Sequence, residues 1–142
     1  MSTERKISAM TDGVRIPVRS EADILAARQQ GRQLAAELGF WSVEQTFIAM
    51  AISEVALNIV QYAGKGEILL NPAEKEGGRG IVIVARDEGP GIPDLERAVQ
   101  DGFSTSGRAG LGLSGARRLM DEFEIGSEPG RGTTVTMKKW VR

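Results

Sequence analysis

The segment from Phe47 to Val60 constrains the fold of this chain more than any other part of its sequence, because only Ser53, Glu54 and Asn58 interrupt an otherwise apolar run. Apolar residues in this region recur at helical spacing, and the resulting stripe is formed by Ile48, Ile52, Val55 and Ile59. We predict that this stripe is the deepest part of a helix. The helix should begin at residue 42, with a capping box to residue 45, and end near residue 62.

Apolar periodicity also predicts the elements around this helix. Pro17 favours an edge position for a strand at residues 14–18, and a helix should follow between Ser20 as N-cap and Gly39 as stop. Further along we expect strands at 68–70 and 81–85, joined by a polar connection, and then a short helix at 94–100. A third long helix should carry Leu113, Ala116, Leu119 and Phe123 on one face. Two closing strands should follow at 124–128 and 133–139. Strands in one layer and helices in the other predict an α+β two-layer sandwich.

Length and composition fit one ordinary domain, since the chain has 142 residues, of which 41% are hydrophobic and 26% charged. We expect a flexible tail at residues 1–11 and a single domain at 12–142. The formal net charge of -1 argues against a nucleic-acid partner. Neither an apolar leader nor a run of about 18 apolar residues is present, so we expect no membrane span and a cytoplasmic location.

Glu54 and Asn58 are four residues apart on the predicted apolar helix, so their side chains lie on one face. One interpretation is a polar edge that faces solvent, and the pair alone does not decide against it. The functional interpretation makes Asn58 a neutral oxygen ligand of Mg²⁺ and Glu54 a general base beside it. An unpaired carboxylate in so apolar a setting would be costly, which makes the pair notable.

A second motif, Asp87-Glu88-Gly89-Pro90-Gly91-Ile92, begins where an apolar strand ends. The carboxylate of Asp87 could accept a hydrogen bond from an adenine amino group there. Gly89 and Gly91 would let the backbone turn sharply and approach a flat ring. Taken alone, the motif is a weak signal, and a plain turn between strand and helix explains it better than a binding site does.

A third motif is the glycine-rich loop at residues 107–115, which leads into a predicted helix start whose free N–H groups suit phosphates. Arg108 would add a positive charge. The spacing also matches a dinucleotide-binding fingerprint, but we reject that interpretation because polar loop, rather than a buried strand, precedes the glycines. A phosphate-binding P-loop at Gly64-Lys65-Gly66 fails as well, because no serine or threonine follows.

Gly132-Thr133-Thr134 precedes the last predicted strand. Either hydroxyl could exchange hydrogen bonds with a ligand. Threonine is also a common strand residue, so an ordinary strand start explains the motif alone.

Taken in order, these four motifs resemble the N, G1, G2 and final boxes of the GHKL (Bergerat) ATPase superfamily, over residues 12–142. The resemblance implies a mixed, mostly antiparallel sheet covered by helices on one face, and a site for ATP with Mg²⁺. It implies Glu54 as the catalytic base, Asn58 on Mg²⁺, and Asp87 with Thr133 or Thr134 on adenine. The implied nucleotide-binding set comprises Asn58, Asp87, Gly89, Gly91, Ile92, Arg108, Gly110, Leu111, Gly112, Thr133 and Thr134.

Within this superfamily the chain resembles the small serine/threonine kinases of bacterial partner-switching pathways, through residues 23–28, 62–66, 101–107 and 139–142. The resemblance implies phosphorylation of STAS-domain antagonist and scaffold proteins of the stressosome, followed by activation of a PP2C-type phosphatase. An anti-sigma factor with serine kinase activity and a non-catalytic ATP-sensing module are the alternatives. Because the chain has no histidine, it cannot form a phosphohistidine of its own.

Overall fold

The computed structural model describes residues 13–90, 112–128 and 130–142. The predicted tail at residues 1–11 and the predicted short helix at 94–100 lie outside these ranges. The elements follow in the order β1 (Val14–Val18), α1 (Glu21–Leu38), α2 (Ser42–Asn58), a π-helical turn (Ile59–Ala63), β2 (Gly66–Lys75), β3 (Gly78–Asp87), α3 (Gly112–Leu119), β4 (Glu122–Glu128) and β5 (Gly132–Trp140).

The five strands form one sheet in the order β1-β2-β3-β5-β4, and each of its pairings is antiparallel. Side chains alternate between a buried face and an open face, as the twofold period of a strand requires. Residues on the buried face include Ile16, Val18, Ile68, Leu70, Ile81, Ile83, Val135 and Met137. The predicted α+β architecture is confirmed, with β1 at an edge as Pro17 indicated, and without a parallel pair among the described strands.

Helix α2 is the core helix, as its sequence predicted, because Ile48, Ile52, Val55 and Ile59 are all buried. Helix α1 packs closely against it at Gly31, where a Cβ atom would lie 2.1 Å from Cδ1 of Ile52. By length and composition alone, the segment Ser42–Ala63 could cross a membrane. Its buried stripe accounts for that apolar character, since the core of a folded domain requires it too.

The observed ends of α1 and the observed start of α2 agree only in part with the caps predicted from the sequence. Helix α1 begins after Ser20 and ends at Gly39, whose φ of 96° suits glycine, but the hydroxyl of Ser20 makes no capping hydrogen bond. The predicted capping box from Ser42 is wrong, because Ser42 is already helical and Trp41 is the N-cap. Glu44 provides the cap instead, with Oε1 accepting a hydrogen bond from the N–H of Trp41 at 3.4 Å.

The hairpin of β2 and β3 is longer than predicted. The residues we assigned to a polar connection are mostly paired strand, from Asn71 opposite Val82 to Lys75 opposite Gly78. The turn is only Glu76-Gly77, with φ of 48° and 82°. Polar residues on a partly or fully exposed stretch of strand resemble a loop in sequence, which explains the difference.

The third helix is shorter than predicted, because α3 ends at Leu119 and Phe123 lies in β4, opposite Met137. Asp121 follows the helix and ties its end to β5. Its carboxylate accepts hydrogen bonds from the N–H of Trp140 at 2.8 Å and from the guanidinium of Arg142 at 2.6 Å. Phe123 happens to continue the helical spacing and still packs against the core, but from a strand.

Candidate functional site

A pocket lies on the helix side of the sheet, between the end of α2, the end of β3, the start of α3 and the start of β5. Its walls are formed by Val55, Asn58, Ile59, Tyr62, Ala85, Asp87, Pro90, Leu113, Thr133 and Val135. The fold therefore brings Asn58, Asp87 and Thr133 together, although they are far apart in the sequence. An apolar pocket with a few convergent polar groups is the usual form of a small-molecule site.

The register of the sheet distinguishes the two threonines. Thr133 lies directly opposite Asp87, and Thr134 lies opposite Arg86. Because side chains alternate along a strand, Thr133 shares the pocket with Asp87, whereas Thr134 is exposed on the open face. The sequence leaves these two residues as alternatives, and the fold brings only Thr133 into the pocket.

Ser127 holds the hydroxyl of Thr133 in place and was missed in the sequence. Its Oγ atom lies 3.0 Å from Oγ1 of Thr133 and 3.1 Å from the carbonyl oxygen of Gly132. Ser127 is opposite Thr133 in the pairing of β4 with β5. Nothing in the local sequence marks it, and only knowledge of that register could have identified it.

Asp87 is held by its own turn. The N–H of Gly89 donates to Oδ1 of Asp87 at 2.9 Å, which orients the carboxylate, and Oδ2 has no hydrogen-bond partner among the residues that the structure describes. Gly89 packs tightly on the π-helical turn, because a Cβ atom there would lie 2.5 Å from Cβ of Ala63. This close approach is the reason for a glycine at position 89.

Gly132 fixes the start of β5 against the same turn. Its φ is 113°, and a Cβ atom there would lie 2.1 Å from the carbonyl oxygen of Asp87. Only glycine adopts this conformation with so little space. The glycine thereby sets where Thr133 stands relative to Asp87.

Glu54 and Asn58 lie on one face of α2, as their spacing predicted, and they do not form a solvent-facing edge. Glu54 is only 8% exposed. Asn58 lines the pocket, and its Nδ2 atom is buried without a hydrogen-bond partner in the described structure. A buried amide with an unused polar atom is costly, which points to a polar ligand at this position.

The remaining predicted residues divide into two groups. Gly112 begins α3, and Leu113 behind it lines the pocket, so the helix start lies beside the pocket as expected for a phosphate site. The other predicted contacts, Gly91, Ile92, Arg108, Gly110 and Leu111, lie outside the described residues.

Residues 43–141 match the family model described as the histidine kinase-, DNA gyrase B-, and HSP90-like ATPase. The chain belongs to this family. The serine/threonine-protein kinase RsbT of Bacillus subtilis is 50% identical to it, over 94% of this chain and 100% of the relative. The chain therefore belongs with the small serine/threonine kinases of the GHKL superfamily, and ATP is the nucleotide that this membership implies.

More distant matches share the family or the fold. An anti-sigma F factor of Thermoanaerobacter sp. is 35% identical over 81% of this chain and 83% of its own length. The structure of the RsbU and RsbW domains of a Mycobacterium tuberculosis protein superposes with a TM-score of 0.60 at 21% identity, covering 89% of this chain and 32% of that one. The mycobacterial sensor histidine kinase MprB gives a TM-score of 0.54 at 17% identity, covering 91% and 99%. At such identities the structural matches support the fold alone.

Proposed function

We propose that this chain transfers the γ-phosphate of ATP to a serine or threonine of a STAS-domain protein. The observation that carries the proposal is the pocket that Asp87, Thr133 and Asn58 line together, with Asp87 and Thr133 paired across β3 and β5. Glu54 stands one helical turn from Asn58 on the same helix face. The pocket thus has groups suited to a purine and groups suited to phosphates.

The adenine end is formed by Asp87 and Thr133. With Oδ1 of Asp87 engaged by Gly89, Oδ2 is the acceptor for the exocyclic amino group. The hydroxyl of Thr133, held by Ser127, lies beside it. Gly89, Gly91 and Ile92 complete this end in the proposal, because a ring needs close backbone approach and an apolar contact.

The phosphate end is formed by Asn58 and the start of α3. Asn58 fits a hydrated Mg²⁺, because a rotation of its buried amide presents Oδ1 in place of the unpaired Nδ2. When bound, Mg²⁺ neutralises charge on the phosphates. Gly112 at the helix start is proposed to bind phosphate through its backbone, together with Arg108, Gly110 and Leu111.

Glu54 is proposed as the general base. It takes the proton from the acceptor hydroxyl while that oxygen forms a bond to the γ-phosphorus and the bond to the ADP oxygen breaks. The products are ADP and a phosphoserine or phosphothreonine. The position of Glu54 supports this role, because it is only 8% exposed and lies on the same face of α2 as Asn58, which lines the pocket.

The biological setting rests on the likeness to RsbT. We propose a cytoplasmic partner-switching pathway, in which the chain phosphorylates STAS-domain antagonist and scaffold proteins of a stressosome. Once released from them, it activates a PP2C-type phosphatase. The 50% identity along the whole of RsbT supports this placement.

Incubation of the chain with labelled ATP, Mg²⁺ and purified STAS-domain proteins tests the proposal, with mass spectrometry to locate the phosphate. We expect a labelled serine or threonine on at least one of them. The Asp87→Asn variant should bind ATP more weakly by about 1–3 kcal/mol, because one polar group is left unmatched. ATP binding without any transfer would instead support the non-catalytic ATP-sensing module.

A second candidate function is an anti-sigma factor that also has serine kinase activity. The observation in favour of this candidate is the 35% identity to an anti-sigma F factor. Gel filtration of the chain with purified sigma factors and ATP separates the two. A stable complex with a sigma factor would favour this candidate over the switch kinase.

A further inference from the structure

A second groove lies at the same end of the molecule, on the open face of the sheet. Four cationic side chains line it, and we call it the basic groove: Arg15, Arg19, Lys65 and Arg86. Glu67 lies at its centre, between the strands that carry Arg15 and Arg86. Neither the proposed phosphate transfer nor the core of the fold uses these cations.

Glu67 arranges two of the cations. One of its carboxylate oxygens accepts a hydrogen bond from Nε of Arg15, and the other accepts from Nε and Nη2 of Arg86 at 3.0 and 2.5 Å. Glu67 itself is mostly covered, with a side chain 16% exposed, whereas those of Arg15 and Arg86 remain 73% and 51% exposed. The two guanidinium groups are therefore held in place while still open to a partner, which lowers the entropic cost of binding an anion.

The other two cations increase the local charge. Arg19 and Lys65 are exposed, and neither forms an ion pair in the part of the chain that the structure describes. Three acidic residues also line the groove, Glu67, Asp87 and Glu88, so the four cationic residues leave a formal excess of one positive charge there. The chain as a whole carries a formal charge of -1, so this excess is a local concentration.

We infer that the basic groove is a docking surface for an acidic segment of a partner protein. Its charge is complementary to carboxylates, and arginine pairs with them in a planar, two-bonded geometry. A nucleic acid is less suitable, because a duplex or strand needs a continuous basic track. On the same face of the sheet, Glu124 and Glu128 of strand β4 would repel any anionic ligand that continued across the sheet, so the groove suits a short acidic segment.

The position of the groove also separates it from the nucleotide pocket. Asp87 borders both, but the pocket lies on the helix side of the sheet and the groove on the open side. An acidic segment bound in the groove would leave the pocket open to ATP. This inference therefore does not depend on the proposed kinase activity.

The test uses the isotopically labelled full chain, titrated with a synthetic ten-residue glutamate-rich peptide and followed by NMR. We expect amide shifts to change at the groove, around residues 15–19, 65–67 and 86–88. Affinity should fall as salt is raised, because exposed charges are screened beyond about 10 Å at 0.1 M. Shifts confined to another surface, or no binding at low salt, would overturn the inference.

Two charge-reversal variants make the test specific. The double variant Arg19→Glu with Lys65→Glu should bind the peptide roughly tenfold or more weakly, and still bind ATP as the original chain does. The control, Arg79→Glu with Arg117→Glu, makes the same change of net charge at two exposed residues elsewhere. Equal weakening of peptide binding by both variants would overturn the inference that the groove is a specific docking surface. If a ten-nucleotide thymidine oligonucleotide bound more tightly than the peptide, the inference of a protein partner would be overturned.

Discussion

Asp87 and Thr133 face each other across β3 and β5, and both side chains enter the same pocket. Three local features hold this pair. Gly89 donates to the carboxylate, Ser127 bonds the hydroxyl, and Gly132 allows the two strands to approach. The pair is therefore rigid before any ligand arrives, which favours selective binding.

The first prediction concerns the two neighbouring threonines. Thr133→Val should weaken ATP binding by about 1–3 kcal/mol, because it removes a hydroxyl that lines the pocket and leaves Ser127 without that partner. Thr134→Val is the matched control and should change ATP binding by less than about 0.5 kcal/mol, since its side chain lies on the other face. Isothermal titration calorimetry measures both. Equal effects would contradict the assignment of Thr133 to adenine.

The second prediction concerns Glu54. Glu54→Gln should retain ATP binding but lower the rate of transfer to a partner protein roughly 10²- to 10⁴-fold, as expected when a general base is lost. Glu44→Gln changes another glutamate of α2, which caps the helix end, and should leave transfer nearly unchanged. Single-turnover assays with labelled ATP provide the measurement. A normal transfer rate for Glu54→Gln would exclude Glu54 as the base.

The third prediction concerns Gly132, at the start of β5, and Gly130, in the turn before it. Gly132→Ala should lower the free energy of unfolding by at least about 2 kcal/mol, because of its φ of 113° and the 2.1 Å approach to the carbonyl oxygen of Asp87. Gly130 also has a positive φ, of 81°, but no atom within 4 Å of its Cβ position. Gly130→Ala should therefore cost only about 1 kcal/mol. Urea denaturation compares them, and similar losses would show that crowding at Gly132 is relieved elsewhere.

The fourth prediction is a loss of stability in acid that depends on Glu67 and Asp121. Hydrogen bonds from Arg86 and then Arg15 lower the pKa of the Glu67 carboxyl. Burial raises the pKa of Asp121, but hydrogen bonds from Trp140 and Arg142, with the charges of Lys139 and Arg142, outweigh it and lower that pKa. The stability that each ionised carboxylate contributes is fully present above the unfolded-state pKa values, near ~4. It is lost as the pH falls through the lower pKa values of the folded state.

Urea denaturation between about pH 7 and pH 3 checks this dependence. Glu67→Gln should be less stable than the original chain near neutral pH, and the difference should shrink as pH falls below about 4. Glu37→Gln, which alters an exposed carboxylate of α1, serves as the control and should show a small, constant difference. A difference for Glu67→Gln that persists unchanged to the acid end of this range would contradict the assignment.

The parts of the fold that were predicted correctly are those that local sequence determines. The buried stripe of α2 follows from helical spacing, and the stop of α1 follows from a glycine in the left-handed conformation. The length of the β2–β3 hairpin could not be predicted, because strand pairing beyond the core needs no apolar pattern. Phe123 was misplaced because helical spacing continued by coincidence past the end of α3.

In the site, too, local motifs were predicted from the sequence, whereas features that depend on strand pairing were not. The sequence predicted Asn58, Asp87 and a threonine from three separate motifs, and the fold brings these together. It could not choose between Thr133 and Thr134, because that choice depends on the pairing of β5 with β3. It also missed Ser127, whose part in the site arises only from its position opposite Thr133.

Thr133 and Thr134 point to opposite faces of β5, and this alternation limits changes in the length of the chain near the strand. A slip of β5 by one residue against β3 would turn Thr134 inward and move Val135 out of the core. Substitutions at exposed positions of the β4–β5 turn are compatible with the site, but an insertion or deletion there that shifted the pairing of β5 with β3 would exchange the two faces of the strand. Among relatives that keep the pocket, we therefore expect the length of this turn to vary far less than its composition.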